Sequence, residues 1–348
     1  MQRLSISKKS QLDIILDKNI LFNGFEVPEQ NTLHGSLVFT PGSCIKVKRI
    51  VLQFEGRYVV STSSDIRKSK TAFFETNWVF LDENRGKTFS GGLSNTFDFY
   101  LCLPTHLPES VRSQHGSIQY KFKAAVFTSL THFNLKTEKP LCVQRQVDSL
   151  LTSRHITNIS QSWRDMLVCS ISIPGFRHAP GDEFPLKIQH QVTDDTKLVR
   201  ILLAACMLKQ SITYKSPVVP NAVIRETEKT LDMTFVWLND DGVNGENKMM
   251  IKIPSSLKIY DSSNQYIEVT HRLQVRLDIS YKGDLHNAYH ELPILISSQN
   301  HDASEALPLY HLIPGPPSYE SVIQSDAHPT IPTVALPLYQ ASVLTSPL

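Results

Sequence analysis

The chain has 348 residues, room for two domains and a tail, and its formal charge of +2 gives no global drive toward nucleic acid. Apolar residues make up 41% of it, enough to bury true cores. No apolar run approaches the roughly 20 residues that cross a bilayer as a helix, and the start, Met1-Gln2-Arg3-Leu4, lacks the apolar stretch of a signal peptide, so a cytoplasmic protein is expected.

Taken in chain order, the hydrophobic period is two nearly everywhere. Leu12, Ile14 and Leu16 alternate, then Ile45 and Val47, then Ile118, Tyr120, Phe122, Ala124 and Val126. Further on come Leu167, Cys169, Ile171 and Ile173, and then Ile267, Val269, His271, Leu273, Val275 and Leu277. Such alternation predicts half-buried antiparallel strands. Turn signals separate them at Pro41-Gly42, Gly91-Gly92, Pro180-Gly181, Asp240-Asp241-Gly242 and Lys282-Gly283. No segment shows a sustained helical stripe, although the polar stretch from Ser149 to Trp163 leaves room for a helical turn. The fold class expected is all-β, built from sandwiches.

The chain also repeats itself. Lys46–Leu52 resembles Lys197–Leu203, Leu103-Pro104 with Leu107 resembles Ile253-Pro254 with Leu257, and the strand around Ile118 and Phe122 resembles that around Val269 and Leu273. Three pairs in order at an offset of about 150 residues point to two copies of one sandwich in tandem. The expected division is 1–147 for the first copy, 148–162 for a connector, 163–300 for the second copy and 301–348 for a tail. The tail is rich in Pro and Ser and has no alternation, so it is predicted to be disordered.

Within that tail one short pattern occurs three times: Leu307-Pro308-Leu309-Tyr310, Pro316-Pro317-Ser318-Tyr319 and Leu336-Pro337-Leu338-Tyr339. Proline presets the extended polyproline II conformation, so little entropy is lost on docking. An aromatic-lined groove takes the Pro, and a second pocket takes the Tyr two residues on, which is how WW domains read peptides. Chance would supply roughly 0.1 such matches in a chain of this composition.

Two tandem β-sandwiches followed by Pro-x-Tyr motifs resemble the α-arrestins, or arrestin-related trafficking adaptors. Leu12-Asp13-Ile14 with Leu21-Phe22 resembles that family's first strands. Ile45 to Gly56, ending in Phe54-Glu55-Gly56, is similar to its basic strand. Phe97-Asp98-Phe99, Leu103-Pro104 and Leu107-Pro108-Glu109-Ser110, with Gly116-Ser117-Ile118-Gln119-Tyr120, are similar to a later stretch. Pro180-Gly181-Asp182 and Leu292-Pro293-Ile294 resemble the entry and exit of the second domain. The resemblance implies a non-enzymatic adaptor without a cofactor. Its fold would engage cytosolic segments of membrane transporters or receptors, and its tail would recruit a HECT-type ubiquitin ligase carrying WW domains. Ubiquitin transfer to the cargo would then promote endocytosis or sorting, with peripheral recruitment to plasma membrane, endosomes or Golgi. A retromer-like scaffold is the alternative; it would not need three Tyr motifs.

Motifs for chemistry are sparse. There is no Gly-x-Ser-x-Gly and no phosphate-binding Gly-rich loop. His286 and His290 stand four apart beside Glu291, but they follow a turn and read as exposed loop histidines; no metal site is expected. Asp240 and Asp241 read as a solvated turn, and Trp163 and Trp237 as core or hinge packing. The five cysteines, at least 27 residues apart, are expected to be reduced, most of them in the core. Lys46, Lys48 and Arg49, together with Lys121 and Lys123, form a candidate cationic patch for lipid headgroups or an acidic cargo tail. A plain solvated face gives the same alternation.

Overall fold

A computed structural model describes residues 9–23, 32–61, 68–129, 134–145, 157–193, 199–238 and 244–298. The tail, its three Tyr motifs and the Asp240-Asp241-Gly242 turn lie outside these residues.

The first half contains β1 (Gln11–Leu16), β2 (Ile20–Asn23), β3 (Thr32–Thr40), β4 (Ile45–Ser61), β5 (Lys68–Leu81), β6 (Lys87–Phe89), β7 (Asn95–Cys102), β8 (Val111–Arg112), β9 (Gly116–Thr128) and β10 (Leu135–Arg145). One sheet has the order β1-β3-β7 and faces another of order β2-β10-β9-β4-β5. The second half contains β11 (Thr157–Trp163), β12 (Leu167–Ile173), β13 (Arg177–His178), β14 (Glu183–Val192), β15 (Val199–Lys215), β16 (Val223–Trp237), β17 (Asn244–Lys252), β18 (Ser262–Ser263), β19 (Ile267–Tyr281) and β20 (Asp284–Ile296). Its sheets have the orders β11-β12-β14-β17 and β13-β20-β19-β15-β16. Each half is therefore a two-sheet sandwich, and the pairings are antiparallel except for β2 on β10 and β13 on β20.

The alternation is what builds the cores. Ile118, Tyr120, Phe122, Ala124 and Val126 all point inward along β9 and are buried. Around them Phe54 packs on Tyr120 and Phe122, with ring centroids 5.9 and 4.7 Å away, while Trp78 and Phe99 close the cluster. Each fully buried side chain of this kind contributes about 1.5–3 kcal/mol by leaving water.

The two halves share their connections. In each, a 17-residue strand (β4 or β15) makes a hairpin with its sheet's edge strand (β5 or β16) and pairs on its other side with β9 or β19. The short loops match as well: the Leu107 amide donates to the Pro104 carbonyl, and the Leu257 amide to the Pro254 carbonyl.

The sandwiches meet at an aromatic seam. Ile212, Tyr214, Ile267 and Val269 of the second half pack into the core of the first. Tyr58 packs its ring, tilted, against Tyr266 at 4.9 Å and donates its hydroxyl to the Lys215 carbonyl at 3.0 Å. Tyr214 donates to Ser113 Oγ at 2.9 Å, and burial pushes the Tyr58 hydroxyl's pKa up. Gly116 is required there, because a Cβ would stand 2.8 Å from the Tyr214 ring. At the exit of β20, Ser298 Oγ donates to Gln144 Oε1 at 3.1 Å.

Three local expectations change. Thr157–Trp163 is strand β11, not a helical turn, because it pairs residue for residue with β12. His286 and His290 are on a strand rather than in a loop: Lys282 and Gly283, at φ 53° and 93°, close a two-residue hairpin turn, so β20 begins at Asp284. Counting in twos from there puts His290 inward with Leu292 and Ile294. Trp237 faces solvent and is 65% exposed, since its pairing with Leu203 sets it on the outer face beside Phe235.

Candidate functional site

β4 and β9 carry the candidate cations, and their register decides each one's surroundings. Gln53 lies opposite Lys123, and Glu55 opposite Lys121. Glu55 is on the outer face yet only 3% exposed, because three cationic side chains close over it. Lys123 Nζ stands 2.5 Å from Glu55 Oε1, Arg57 Nη2 is 2.9 Å from Oε2, and Lys121 Nζ is 4.0 Å from Oε1. Lys121 also meets Glu138 on β10 at 2.8 Å. That contact holds the Glu138 carboxyl below its usual range, through the hydrogen bond first and the charge second. Lys121 and Lys123 are thus already neutralised locally.

Lys46, Lys48 and Arg49 sit at the other end of β4. Between Val47 and Arg49 the register with β9 slips by one residue, a β-bulge with Lys48 as the extra residue. Val47 and Ile50 remain in the core, so Lys48 and Arg49 both fall on the solvent side with Lys46. From Lys46 to Gln53, the partner of Lys123, is seven steps of strand, or about 23 Å. The structure therefore divides the patch in two.

At the Lys46 end the structure adds two cations that the sequence reading missed. After β5 the chain makes a single 3-10 turn, Glu83–Arg85, capped by Asp82, whose carboxylate accepts from the Glu83 amide. It returns as β6, which pairs Lys46 with Thr88 and Val47 with Lys87. Arg85 and Lys87 are exposed, and Lys87 Nζ lies over the Phe89 ring at 5.4 Å. The Lys46 side chain runs past Gly86, its Cε 3.8 Å from where a Cβ would be. Among the described residues none of Lys46, Lys48, Arg49, Arg85 and Lys87 is ion-paired. Asp82 and Glu83 are the carboxylates of the same turn. The signal that would have found Arg85 and Lys87 was the return of the chain across β4, a tertiary feature.

Other titratable groups are structural in their surroundings. His271 Nδ1 contacts Asp261 Oδ2 at 2.6 Å in the second core, and the same oxygen accepts from the Ile296 amide. His178 stacks on Phe184 at 3.8 Å, and burial lowers its pKa to about 4. His290 is buried, and burial lowers its pKa too. Cys169 and Cys206 are buried thiols pushed up to about 12, whereas Cys44 and Cys102 are exposed rather than core residues. Among the described residues no cluster of three or more His, Cys, Asp or Glu is placed to hold a metal ion, and no helix is long and apolar enough to cross a membrane.

Comparison with known proteins agrees with this architecture. The chain is 26% identical over 282 residues to the arrestin domain-containing protein C584.15c of Schizosaccharomyces pombe, an alignment covering 75% of this chain and 46% of that protein. It is 22% identical over 207 residues to C2D10.04 of the same organism, whose name describes a putative arrestin-related trafficking adapter; here 54% of this chain and 31% of that protein are covered. The chain thus spans less than half the length of the curated relatives it matches. Residues 24–149 match the family Arrestin (or S-antigen), N-terminal domain, and residues 163–301 match Arrestin (or S-antigen), C-terminal domain. With both domains matched in order over two sandwiches of like topology, the chain belongs to the arrestin family.

Proposed function

We propose that the chain is a non-enzymatic trafficking adaptor that couples membrane cargo to a HECT-type ubiquitin ligase through WW domains. The observation that carries the reading is three Pro-x-Tyr motifs in the last 42 residues of a chain whose preceding part is two arrestin domains. The similarity to a protein named as a trafficking adapter supports the first half of the proposal, and the peptide chemistry of the motifs supports the second. The sandwiches are the cargo-facing part. Cargo is the cytosolic segment of a transporter or receptor, and ubiquitylation sends it to endocytosis or sorting.

Affinity purification of the full chain beside a Tyr310→Ala/Tyr319→Ala/Tyr339→Ala variant tests this. The ligase should be lost from the variant while cargo is retained; a ligase recovered equally from both would refute the motif reading. Among single changes, Tyr319→Ala should weaken ligase binding most. Pro316-Pro317-Ser318-Tyr319 has two prolines to preset the groove-bound conformation, while Leu307 and Leu336 lack that constraint. Equal losses from the three single changes would contradict this ranking.

A further inference from the structure

We propose that the distal end of the N-terminal sandwich, which carries Lys46, Lys48, Arg49, Arg85 and Lys87 and, on the turn against residues 41–43, Leu93, docks on an anionic phospholipid surface. Three observations converge. The five cations come from a β-bulge, a 3-10 turn and a short return strand, and none of them is ion-paired among the described residues. Lys121 and Lys123, with the same alternation in sequence, are held by Glu55 and Glu138, so their charge is neutralised locally while that of the Lys46 end is not. Leu93 supplies an apolar tip. It is 64% exposed on a turn clamped to residues 41–43: the Gly92 amide, at φ 78°, donates to the Pro41 carbonyl at 2.7 Å, and a Cβ on Gly91 would stand 2.7 Å from the Ser43 Cα.

The arrangement selects the partner. An acidic peptide is best held by a groove with hydrogen-bond donors aimed into it. Here the cations lie on turns and strand ends at one end of the sandwich, with Asp82 and Glu83 among them. Such a set collects long-range attraction from many headgroups, while Leu93 enters the interface. The interaction is Coulombic at an exposed surface and weakens as salt shortens the Debye length. The inference rests on the adaptor reading only for its biological setting, because it places the cargo-facing fold against a membrane.

The test is co-sedimentation of the full chain with vesicles of phosphatidylcholine, with and without phosphatidylserine. The wild type should sediment with the anionic vesicles alone, and added salt should release it. Each surface cation is worth about fivefold in affinity, so Lys46→Gln/Lys48→Gln/Lys87→Gln should lose roughly a hundredfold. Lys121→Gln/Lys123→Gln, with Arg57 left to hold Glu55 and folding checked by its urea midpoint, removes two charges about 23 Å from Lys46, beyond the Debye length, and should change binding by less than about twofold. Leu93→Ser should lower binding at fixed charge. An equal loss from the Lys121/Lys123 variant would overturn the proposal in favour of net charge. So would equal binding to uncharged vesicles, or binding of a phosphoserine peptide without binding of vesicles. WW-domain binding measured on the same preparations separates the two readings: vesicle binding that fails while WW binding persists sinks this inference alone, and the reverse sinks the ligase proposal alone.

Discussion

Lys123 on β9 and Lys46 on β4 look alike in sequence, each a lysine alternating with core residues on a strand of the same sheet. In the fold they have opposite surroundings. Lys123 lies against a carboxylate that is 3% exposed and shared with Arg57 and Lys121. Lys46 runs past Gly86 into solvent and has no ion-pair partner among the described residues. Alternation reports which face a side chain is on. What it meets there is decided by the neighbouring strand's register, which put Glu55 opposite Lys121 and placed a bulge at Lys48.

The largest expected effect comes from stripping Glu55 of its partners. Arg57→Met/Lys121→Met/Lys123→Met keeps the apolar stems but leaves a buried carboxylate without a cation. It should lower stability by about 3–5 kcal/mol, and adding Glu55→Gln should recover most of that. The matching triple change at Lys46, Lys48 and Lys87 should cost less than about 0.5 kcal/mol per site. Urea midpoints at neutral pH measure both; similar shifts for the two triples would erase the distinction drawn between them.

A second contrast sets Glu55, buried with partners, against His178, whose ring is buried and stacked on Phe184 with no hydrogen-bond partner at Nε2. Its folded pKa of about 4 lies below the ordinary 6.5, so the unfolded chain takes up the proton first. The folded state is then at full stability above pH 6.5 and loses it as pH falls toward 4, by roughly 3 kcal/mol in all. His178→Phe should flatten that part of the stability-against-pH curve, and an unchanged slope would show that the titrating group lies elsewhere.

The smallest effect belongs to the exposed partner of the same cluster. Glu138 has a depressed pKa because Lys121 donates to its carboxylate, so its contribution is present above the ordinary carboxylate range and is lost as pH falls through the folded value. The pair faces water, so Glu138→Gln should cost at most about 1 kcal/mol at low salt and almost nothing at high salt. A cost that persists in high salt would mean that the pair is shielded from solvent.

Much of the fold was legible because a period of two maps directly onto buried and exposed faces. Ile118 to Val126 and Ile267 to Leu277 are core-facing as the alternation predicts. The internal repeat was legible because the same turn, Leu-Pro or Ile-Pro followed by Leu, is needed at the same place in both halves. What stayed hidden depended on contacts between segments distant in sequence. Arg85 and Lys87 join the site only because β6 folds back on β4, and Trp237 is exposed only because its register with β15 sets it outward. His290 was misread by starting its strand too late, an error that the two positive φ angles of the Lys282-Gly283 turn explain.

The ligase connection is the central claim and can be measured directly by calorimetry, titrating the full chain into a protein of two linked WW domains and into each WW domain alone. A single motif of this type binds near micromolar, about −8 kcal/mol, and linking two raises avidity by roughly 10². The linked pair is expected to bind at least about tenfold more tightly than its better single domain, with all binding lost in the Tyr310→Ala/Tyr319→Ala/Tyr339→Ala chain. Binding to the linked pair that survives the triple change would contradict the claim.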